Sequence, residues 1–449
     1  MFPSFVKEAP ASHPILSSDS HFFKGDTSVS SSRLSRGAFV RASSAAIAGA
    51  AIGIPAFIPR MGEAADAIKI GLLEPATGVY AANGESELRG FQMAADMWNA
   101  RGGVMGRKIE LVKEDDGNDP GIGAQKARKL MNQDKVVALA GTVSSAVSLS
   151  VSGAANAAGM LFIDSGGHTD DVTGKDCKWN TFRTCHSTWM EAHATGYSLA
   201  KKFGKKFHLI TPDYAFGHSL ETAYKDVLAR IGGTITGSDL TPLGTTDFSP
   251  YLTKALAGNP DVLLVLVQGA DFVNCMKQID SFGLHKKIGI GGPQAELEAV
   301  QSLPKEARVG YFGIEWYYKS DKVLGKSKTA HAFVRDYTKL HNTAPSARSA
   351  FGYVTMDRLV AAMNDAKSTD SAKVARALEG AKFGSIFEGT AYFRKEDHQL
   401  MWPMWVGEVR REGANGDKDD LFNITDVHEA DAIEQSIADK AKICTLSYP

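Results

Sequence analysis

Two pairs of small residues, Gly141-Thr142 and Ser144-Ser145, have the types and the order of a helix-terminal anion site. They follow an apolar strand predicted over 136–140 and open a predicted helix of small residues. The first turn of such a helix carries unpaired backbone N–H groups and partial positive charge, and a hydroxyl side chain at its start completes the site. The segment therefore predicts a site for a carboxylate or another small anion.

The same alternation of strand and helix runs along most of the chain, which predicts an α/β fold with parallel sheets and helices on both faces. Predicted strands lie at 68–74, 108–116, 136–140 and 161–167, and, after a helix at 186–202, at 207–212, 233–242, 262–268 and 288–292. Two series of this kind indicate two lobes with a cleft between them. Three helices predicted between 327 and 380 and a hairpin-like region complete the chain.

Composition and motifs exclude several classes of function. The chain has 449 residues, 43% of them hydrophobic and 22% charged, with a formal net charge of −1. Without a basic excess we expect no nucleic-acid partner, and no apolar run after residue 60 is long enough to span a bilayer. There is no G-x-S-x-G elbow and Ser145 has no evident base, so we expect no enzyme and no catalytic residue. Histidines and carboxylates show no metal-ligand spacing, and we expect neither a metal nor a cofactor.

The first 67 residues read as an export leader. Its basic part contains Arg33, Arg36 and Arg41. An apolar segment follows at 42–58, and Ala65-Asp66-Ala67 has the small-x-small pattern of a signal-peptidase site. Gly37 stands where the second arginine of a twin-arginine signal would be, so the export route stays open. We predict a periplasmic protein, with an uncleaved N-terminal anchor as the weaker alternative.

Export would place the four cysteines in an oxidising compartment. Cys177 and Cys185 enclose the short segment CKWNTFRTC, and we predict a local disulfide between them. A second bridge between Cys275 and Cys444, tying down the C-terminal tail, is one interpretation. A buried free Cys275 is the other.

Longer segments resemble one known family. The segment 68–116, IKIGLLEPATGVYAANGESELRGFQMAADMWNARGGVMGRKIELVKEDD, is similar to the start of a periplasmic branched-chain amino-acid-binding protein, a type I solute receptor of ABC importers. GTVSSAVSLSVSGAANAAGMLFID, DYAFGHS, TTDFSPYLTKALAGNPDVLLVLVQG and GGPQ continue the resemblance, which covers nearly all of 68–410. It implies a two-lobed Venus-flytrap fold with three crossovers, near 184–188, 316–319 and 393–402. The lobes would comprise 68–186 with 320–395 and 187–319 with 396–449, after a leader at 1–67.

The resemblance also implies where a ligand would bind. The ligand-binding residues would be Asn83, Ser144, Ser145, Gly166, Gly167 and His168 in the first lobe and Phe216, Asp271 and Gln294 in the second. Ser145 would donate its hydroxyl and its backbone N–H to a carboxylate, and Gly166 would offer a backbone carbonyl. We expect a monomer that delivers a small-molecule ligand to the membrane permease of an ABC importer.

Three positions depart from the family pattern. Gln294 stands where an acidic residue usually holds the ligand ammonium, Phe216 where a Tyr is common, and His168 where a Ser or Thr is usual. A buried ammonium without a carboxylate partner would be costly, and Asp271 or, with the loop shifted by one residue, Glu296 would have to compensate. The expected ligand is a small amino acid or related carboxylate, with an amide, urea or an aromatic acid as alternatives. A ligand sensor that docks a signalling partner is the alternative to the importer role.

Overall fold

The structure is a computed structural model and describes residues 66–449. The predicted export signal, apart from its last two residues, lies outside the described part of the chain. The strands are β1 Ile68–Glu74, β2 Ile109–Asp115, β3 Ala138–Gly141, β4 Phe162–Asp164, β5 Thr181–Arg183, β6 Lys206–Pro212, β7 Thr234–Thr241, β8 Val262–Val265, β9 Gly289–Gly292, β10 Tyr311–Ile314, β11 Phe383–Gly384, β12 Thr390–Phe393, β13 Leu400–Met401, β14 Met404–Val409 and β15 Phe422–His428.

The helices lie between these strands, as the alternation predicts. They are α1 Ala81–Ala100, α2 Pro120–Asn132, α3 Ser145–Ala157, α4 Thr188–Phe203, α5 Ala215–Ile231, α6 Ser249–Ala257, α7 Gly269–Ser281, α8 Leu297–Gln301, α9 Asp321–Leu324, α10 Lys328–His341, α11 Ala347–Ala366, α12 Ser371–Leu378, α13 Ala430–Ile433 and α14 Ile437–Lys440. Within residues 66–449, none of them combines the length and the apolar composition needed to cross a bilayer.

The first sheet contains β1 to β5, all parallel, in the order β2-β1-β3-β4-β5. Strand β1 contributes apolar side chains to the core, and Ile68, Ile70 and Leu72 are fully buried. Parallel neighbours need a long crossover, and α1, α2 and α3 supply it here. Helix α11, from a distant part of the chain, packs against α1. We call this sheet with α1–α3 and α10–α12 the first lobe.

The second sheet contains seven strands in the order β15-β14-β10-β9-β8-β6-β7. The five strands β6 to β10 are parallel, and β14 and β15 add antiparallel to the edge. β8 is an uninterrupted apolar run, VLLV, because helices cover both of its faces. We call this sheet with α4–α8 and α13 the second lobe.

The chain passes between the two sheets three times: between β5 and α4, between β10 and α10, and between β12 and β14. This confirms the predicted α/β fold with its three crossovers. Strand β15 is not predicted from the sequence, because its residues alternate between buried and exposed only over their first half. The residue limits predicted for the lobes stay a prediction.

The predicted disulfide between Cys177 and Cys185 is wrong. Cys177 is bonded to Cys444, with 5.7 Å between their Cα atoms, whereas Cys185 and Cys275 are buried free thiols. The physical reason is β5, an extended strand that places Cys177 before it and Cys185 beyond its far end. The interpretation that joins Cys275 to Cys444 is wrong as well.

The bridge holds the C-terminal tail against the first lobe. Near it, the ring of Tyr448 lies 5.3 Å from that of Trp179. The hydroxyl of Tyr448 donates to Glu379 Oε1 at 2.6 Å, and the Arg376 guanidinium lies 3.4 Å from the centre of the Tyr448 ring. The last residues of the chain are therefore part of the folded first lobe.

Candidate functional site

A small cavity lies between the two lobes, beside the carboxyl ends of strands from both sheets, where open α/β sheets bind ligands. Its walls are Tyr80, Val143, Ser145, His168, Tyr214, Phe216, Gln268, Gln294 and Arg348. The cavity measures about 10 Å³, which is roughly the space that one water molecule needs. A larger ligand therefore requires the two lobes to move apart before it can enter.

Four residues of the predicted ligand site are walls of this cavity: Ser145, His168, Phe216 and Gln294. Ser145 and His168 belong to the first lobe, and Phe216 and Gln294 belong to the second. The ring of Phe216 stands edge-on to that of His168, with 5.9 Å between ring centres. The structure thus brings both predicted halves of the site to one place.

The other predicted residues lie outside the cavity walls: Asn83, Ser144, Gly166, Gly167 and Asp271. Their polar groups have partners within the protein. Asp271 Oδ2 accepts the backbone N–H of Gly244 at 2.9 Å, and Gly167 donates its backbone N–H to Asp164 Oδ1 at 2.9 Å. Asp271 consequently does not face the cavity as a partner for an ammonium.

The turn before α3 has a backbone that few residues tolerate. Gly141 and Thr142 have φ angles of 115° and 73°. A Cβ atom on Gly141 would lie 2.3 Å from the carbonyl oxygen of Leu73, so this position requires glycine. Thr142 is held in its left-handed conformation by a backbone hydrogen bond to Leu73 and by its hydroxyl, which lies 3.1 Å from Asp164 Oδ1.

This turn aims the first residue of α3 at the cavity. Ser144 caps the helix with an extended backbone, and its carbonyl accepts the N–H of Ser148 at 2.9 Å. Ser145 Oγ accepts the backbone N–H of Thr169 at 3.1 Å. The hydrogen of the Ser145 hydroxyl is not used in that bond, so it can be donated to a ligand at the positive end of the helix.

His168 and Glu315 form a buried pair beside the cavity. His168 Nε2 lies 3.0 and 3.1 Å from the two carboxylate oxygens of Glu315, and Nδ1 lies 2.7 Å from the carbonyl oxygen of Gly166. Burial lowers the pKa of His168, while the charge of Glu315 acts in the opposite direction. The ring is therefore fixed by one partner on each nitrogen.

Glu315 also contacts a second imidazole and a second carboxylate. His186 Nδ1 lies 3.0 Å from Glu315 Oε1, and its Nε2 lies 3.0 Å from the carbonyl oxygen of Pro403. Burial alone would raise the pKa of Glu315, but His168 and His186 hold it well below its usual range. For Glu191, burial first and the charge of Glu315 second raise the pKa well above its usual range.

Gln294 stands between these carboxylates and the cavity. Its side-chain amide lies 3.2 Å from Glu191 Oε1 and also contacts Glu315 Oε2. Since carboxylates only accept hydrogen bonds, the amide nitrogen belongs on that side, where it donates to both. The carbonyl oxygen of Gln294 is then the atom that the carboxylates do not engage.

Arg348, from α11, joins the two lobes behind the cavity. It donates from Nε to Glu296 Oε1 at 2.6 Å and from Nη1 to Glu87 Oε1 at 3.0 Å. Asn83 donates to the other oxygen of Glu296. Both oxygens of Glu296 therefore have protein donors, which ties the second lobe to Arg348 and Asn83 of the first.

Five walls of the cavity lie outside the predicted set: Tyr80, Val143, Tyr214, Gln268 and Arg348. Glu191 and Glu315, the two acids behind Gln294, are also absent from the predicted set. Two of these residues carry a signal in the sequence. Arg348 is a lone cation in the helical run SARSAFGYVTM, and Glu315 interrupts the apolar run YFGIEWYY. A charge inside an apolar segment indicates a buried partner.

Comparison with known proteins assigns the chain to a family. A family model described as "Periplasmic binding protein" matches residues 67–417. One relative, "Leu/Ile/Val-binding protein homolog 7" of Brucella suis, is 28% identical over 346 residues, which cover 73% of this chain and 84% of the relative.

Solved structures share the fold. A periplasmic binding protein from Burkholderia mallei has a TM-score of 0.77 and 27% identity, covering 84% of this chain and 98% of its own. A solute binding protein of an ABC transporter from Rhodopseudomonas palustris, in complex with 3,4-dihydroxybenzoic acid, has a TM-score of 0.72 and 24% identity, covering 81% and 98%. The chain therefore belongs to the periplasmic binding protein family, whose members are substrate-binding receptors and not enzymes.

Proposed function

We propose that the chain is an exported receptor that binds a small amino acid in the cleft between its lobes and delivers it to an ABC importer. The observation that carries this proposal is the opposite polarity of two cavity walls. Ser145 presents a hydroxyl at the positive end of α3, and Gln294 presents a carbonyl oxygen backed by two carboxylates. One ligand with a carboxylate and an ammonium fits both.

The donor wall, which consists of Ser145 and the first turn of α3, would bind the ligand carboxylate. Ser145 offers its hydroxyl hydrogen, and the first turn of α3 offers backbone N–H groups without helical partners. Hydrogen bonds to a charged group contribute about 1.5–3 kcal/mol each. A micromolar affinity corresponds to about 8 kcal/mol, so two or three such bonds with apolar burial supply it after ordering costs.

The acceptor wall, which is the side-chain oxygen of Gln294, would bind the ligand ammonium without a direct contact between the ammonium and a carboxylate. Gln294 donates to Glu191 and Glu315, and this polarises its amide so that the oxygen becomes a stronger acceptor. Glu315, whose pKa is held well below its usual range, also lowers the electrostatic potential of the wall. In this interpretation the acidic residue that the family pattern places at position 294, and that this chain lacks, is replaced by acids of α4 and of the segment after β10.

An aromatic acid is the second candidate ligand. Phe216 and His168 meet edge to face at the cavity, and Tyr80 and Tyr214 add two further rings. The Rhodopseudomonas palustris neighbour contains 3,4-dihydroxybenzoic acid in this fold. An aromatic acid needs the donor wall and the rings but no ammonium acceptor, and a small amide or urea would use Gln294 and Gln268 instead.

Closure would link binding to delivery. A ligand that contacts Ser145 in one lobe and Gln294 in the other favours the closed state over the open one. The name of the Brucella relative and the ABC transporter neighbour support an importer, and the predicted leader supports export to the periplasm. The proposal includes the predicted lobe limits and a monomeric state. A signalling protein in place of the importer is the alternative partner.

A ligand screen tests the proposal. Purified protein is heated with leucine, other amino acids, benzoate, 3,4-dihydroxybenzoate, short amides or urea, and hits are titrated by calorimetry. A true ligand at 100 times its dissociation constant adds about 2.7 kcal/mol of stability. Stabilisation by amino acids supports the first candidate. Stabilisation by aromatic acids alone would replace it with the second, and a lack of any response would contradict both.

A further inference from the structure

Three buried side chains behind the cavity place metal-binding atoms together: His168, Glu191 and Glu315. One donor atom from each lies within 4.8 Å of the other two, and all three residues are buried. They come from the loop after β4, from α4 and from the residue after β10. Residues this far apart in sequence cannot meet through local geometry, so the fold itself assembles the cluster.

His168 can coordinate a metal ion through Nε2, because its other ring nitrogen is already held by a carbonyl. His168 Nδ1 lies 2.7 Å from the carbonyl oxygen of Gly166, and a carbonyl can only accept, so Nδ1 carries the hydrogen. Nε2 faces the carboxylates, at 3.0 Å from Glu315 and 3.9 Å from Glu191, and a metal ion bound there would replace the hydrogen that Nε2 donates to Glu315. Metal-bound histidines usually donate their other ring N–H to a carbonyl or carboxylate in this way.

Glu191 has acceptor capacity that the protein does not use. Glu191 is fully buried, and its Oε2 has no hydrogen-bond partner among the described residues. Turning the Gln294 amide to donate engages only Oε1 of Glu191. An unpaired buried carboxylate oxygen is costly, and a bound cation removes that cost.

We propose that His168, Glu191 and Glu315 form a binding site for one divalent transition-metal ion, with Zn²⁺ as the best fit. Zn²⁺ binds both imidazole nitrogen and carboxylate oxygen, and a site with three protein ligands leaves room for a water molecule as the fourth. The imidazole disfavours Ca²⁺ and Mg²⁺, which take oxygen ligands, and the absence of a thiolate from the set disfavours Cu⁺.

Metal titration of the full chain tests the site. Protein stripped with EDTA is dialysed against Zn²⁺ without any solute, and bound metal is counted by atomic emission. We expect one ion per chain, and Glu191→Gln should weaken its affinity at least tenfold. Asp226→Asn is the matched control, because Asp226 forms a separate carboxylate–imidazole pair with His193 at 3.0 Å. It should leave the affinity unchanged.

A second measurement needs no variant. X-ray absorption at the zinc edge should show one imidazole, two to three oxygen neighbours and no sulfur. The proposal is overturned if no stoichiometric ion binds, if Glu191→Gln binds it as tightly as the parent chain, or if sulfur appears among the neighbours. Solute binding in EDTA is measured separately, so a failed metal site leaves the proposed receptor function standing, and the reverse also holds.

Discussion

The hydroxyl groups of Tyr80 and Tyr214 lie 2.6 Å apart, and the two residues belong to different lobes. Tyr80 precedes α1, and Tyr214 precedes α5. Both are walls of the cavity. Burial raises the pKa of each phenol above its ordinary value, so both stay neutral and one donates to the other at physiological pH. This hydrogen bond can form only while the lobes are closed.

Removing the bond should favour the open state. Tyr214→Phe keeps the ring and loses a neutral hydrogen bond of about 1 kcal/mol, which corresponds to about a fivefold change in the closed-to-open ratio. Fluorescence energy transfer between labels on the two lobes measures that ratio, and ligand affinity should fall by a similar factor. Tyr197→Phe, an exposed tyrosine of α4, is the control. An unchanged ratio in Tyr214→Phe would contradict the role of this bond.

Ser145→Ala should weaken ligand binding by about 1–3 kcal/mol, because it removes a donor to a charged group. The chain should still fold, since only the acceptor for Thr169 N–H is lost with it. Calorimetry with the ligand found by screening gives the affinity. Ser150→Ala, in the same helix but bonded to the Pro120 carbonyl, should bind like the parent. Equal affinities for all three chains would exclude the donor wall.

Gln294→Glu should destabilise the folded chain. It adds a carboxylate beside Glu191 and the ionised Glu315 at a position that is 2% exposed, and a buried like charge costs at least about 2 kcal/mol. Urea unfolding at neutral pH measures the loss. Gln125→Glu, on the exposed side of α2, should show little change. A variant as stable as the parent would mean that the two acids do not set the potential at Gln294.

Stability should fall as the pH rises from about 4 to about 7, in part through Asp164. Burial raises its pKa to about 7, from an ordinary value of 3.8. Between these values the folded chain holds a proton that the unfolded chain has released, so the free energy of unfolding decreases with pH. One such group contributes a slope of up to about 1.4 kcal/mol per pH unit.

The contribution of Asp164 can be isolated by substitution. Asp164→Asn cannot titrate, so its urea unfolding free energies at pH 5, 6 and 7 should show a smaller slope than those of the parent (about 1.4 kcal/mol per unit less at most). Glu87, whose pKa burial raises to about 7, keeps its own share of the slope. Asp96→Asn, on the exposed face of α1, should retain the full slope. Parallel slopes in all three chains would refute the raised pKa.

The fold follows from the sequence because its signals are local. Apolar runs of β-forming residues such as VLLV, separated by amphipathic helices, predict both parallel series and the cleft between them. The role of Ser145 at the start of a helix can be predicted in the same way, since the strand, the glycine turn and the helix that position it are adjacent in the chain. Its placement in the cavity needs only one further fact, which is that a second lobe faces it.

The rest of the site depends on contacts between distant residues. His168 and Glu315 are 147 positions apart, and Arg348 and Glu87 are 261 apart. No periodicity within one segment shows which charged residue meets which. The cysteines illustrate the same limit, because closeness in sequence favours Cys177 with Cys185, whereas β5 keeps them apart and the tail brings Cys444 to Cys177.

The bond between Cys177 and Cys444 has a mechanical consequence. Ile433 packs in the apolar cluster of the second lobe, next to α4, whereas Cys444 is fastened to the first. The short segment between Ile433 and Cys444 therefore connects the two lobes. We expect this segment to limit how far the lobes can move apart. Reduction of the bond would allow a wider opening of the lobes without altering any group that faces the cavity.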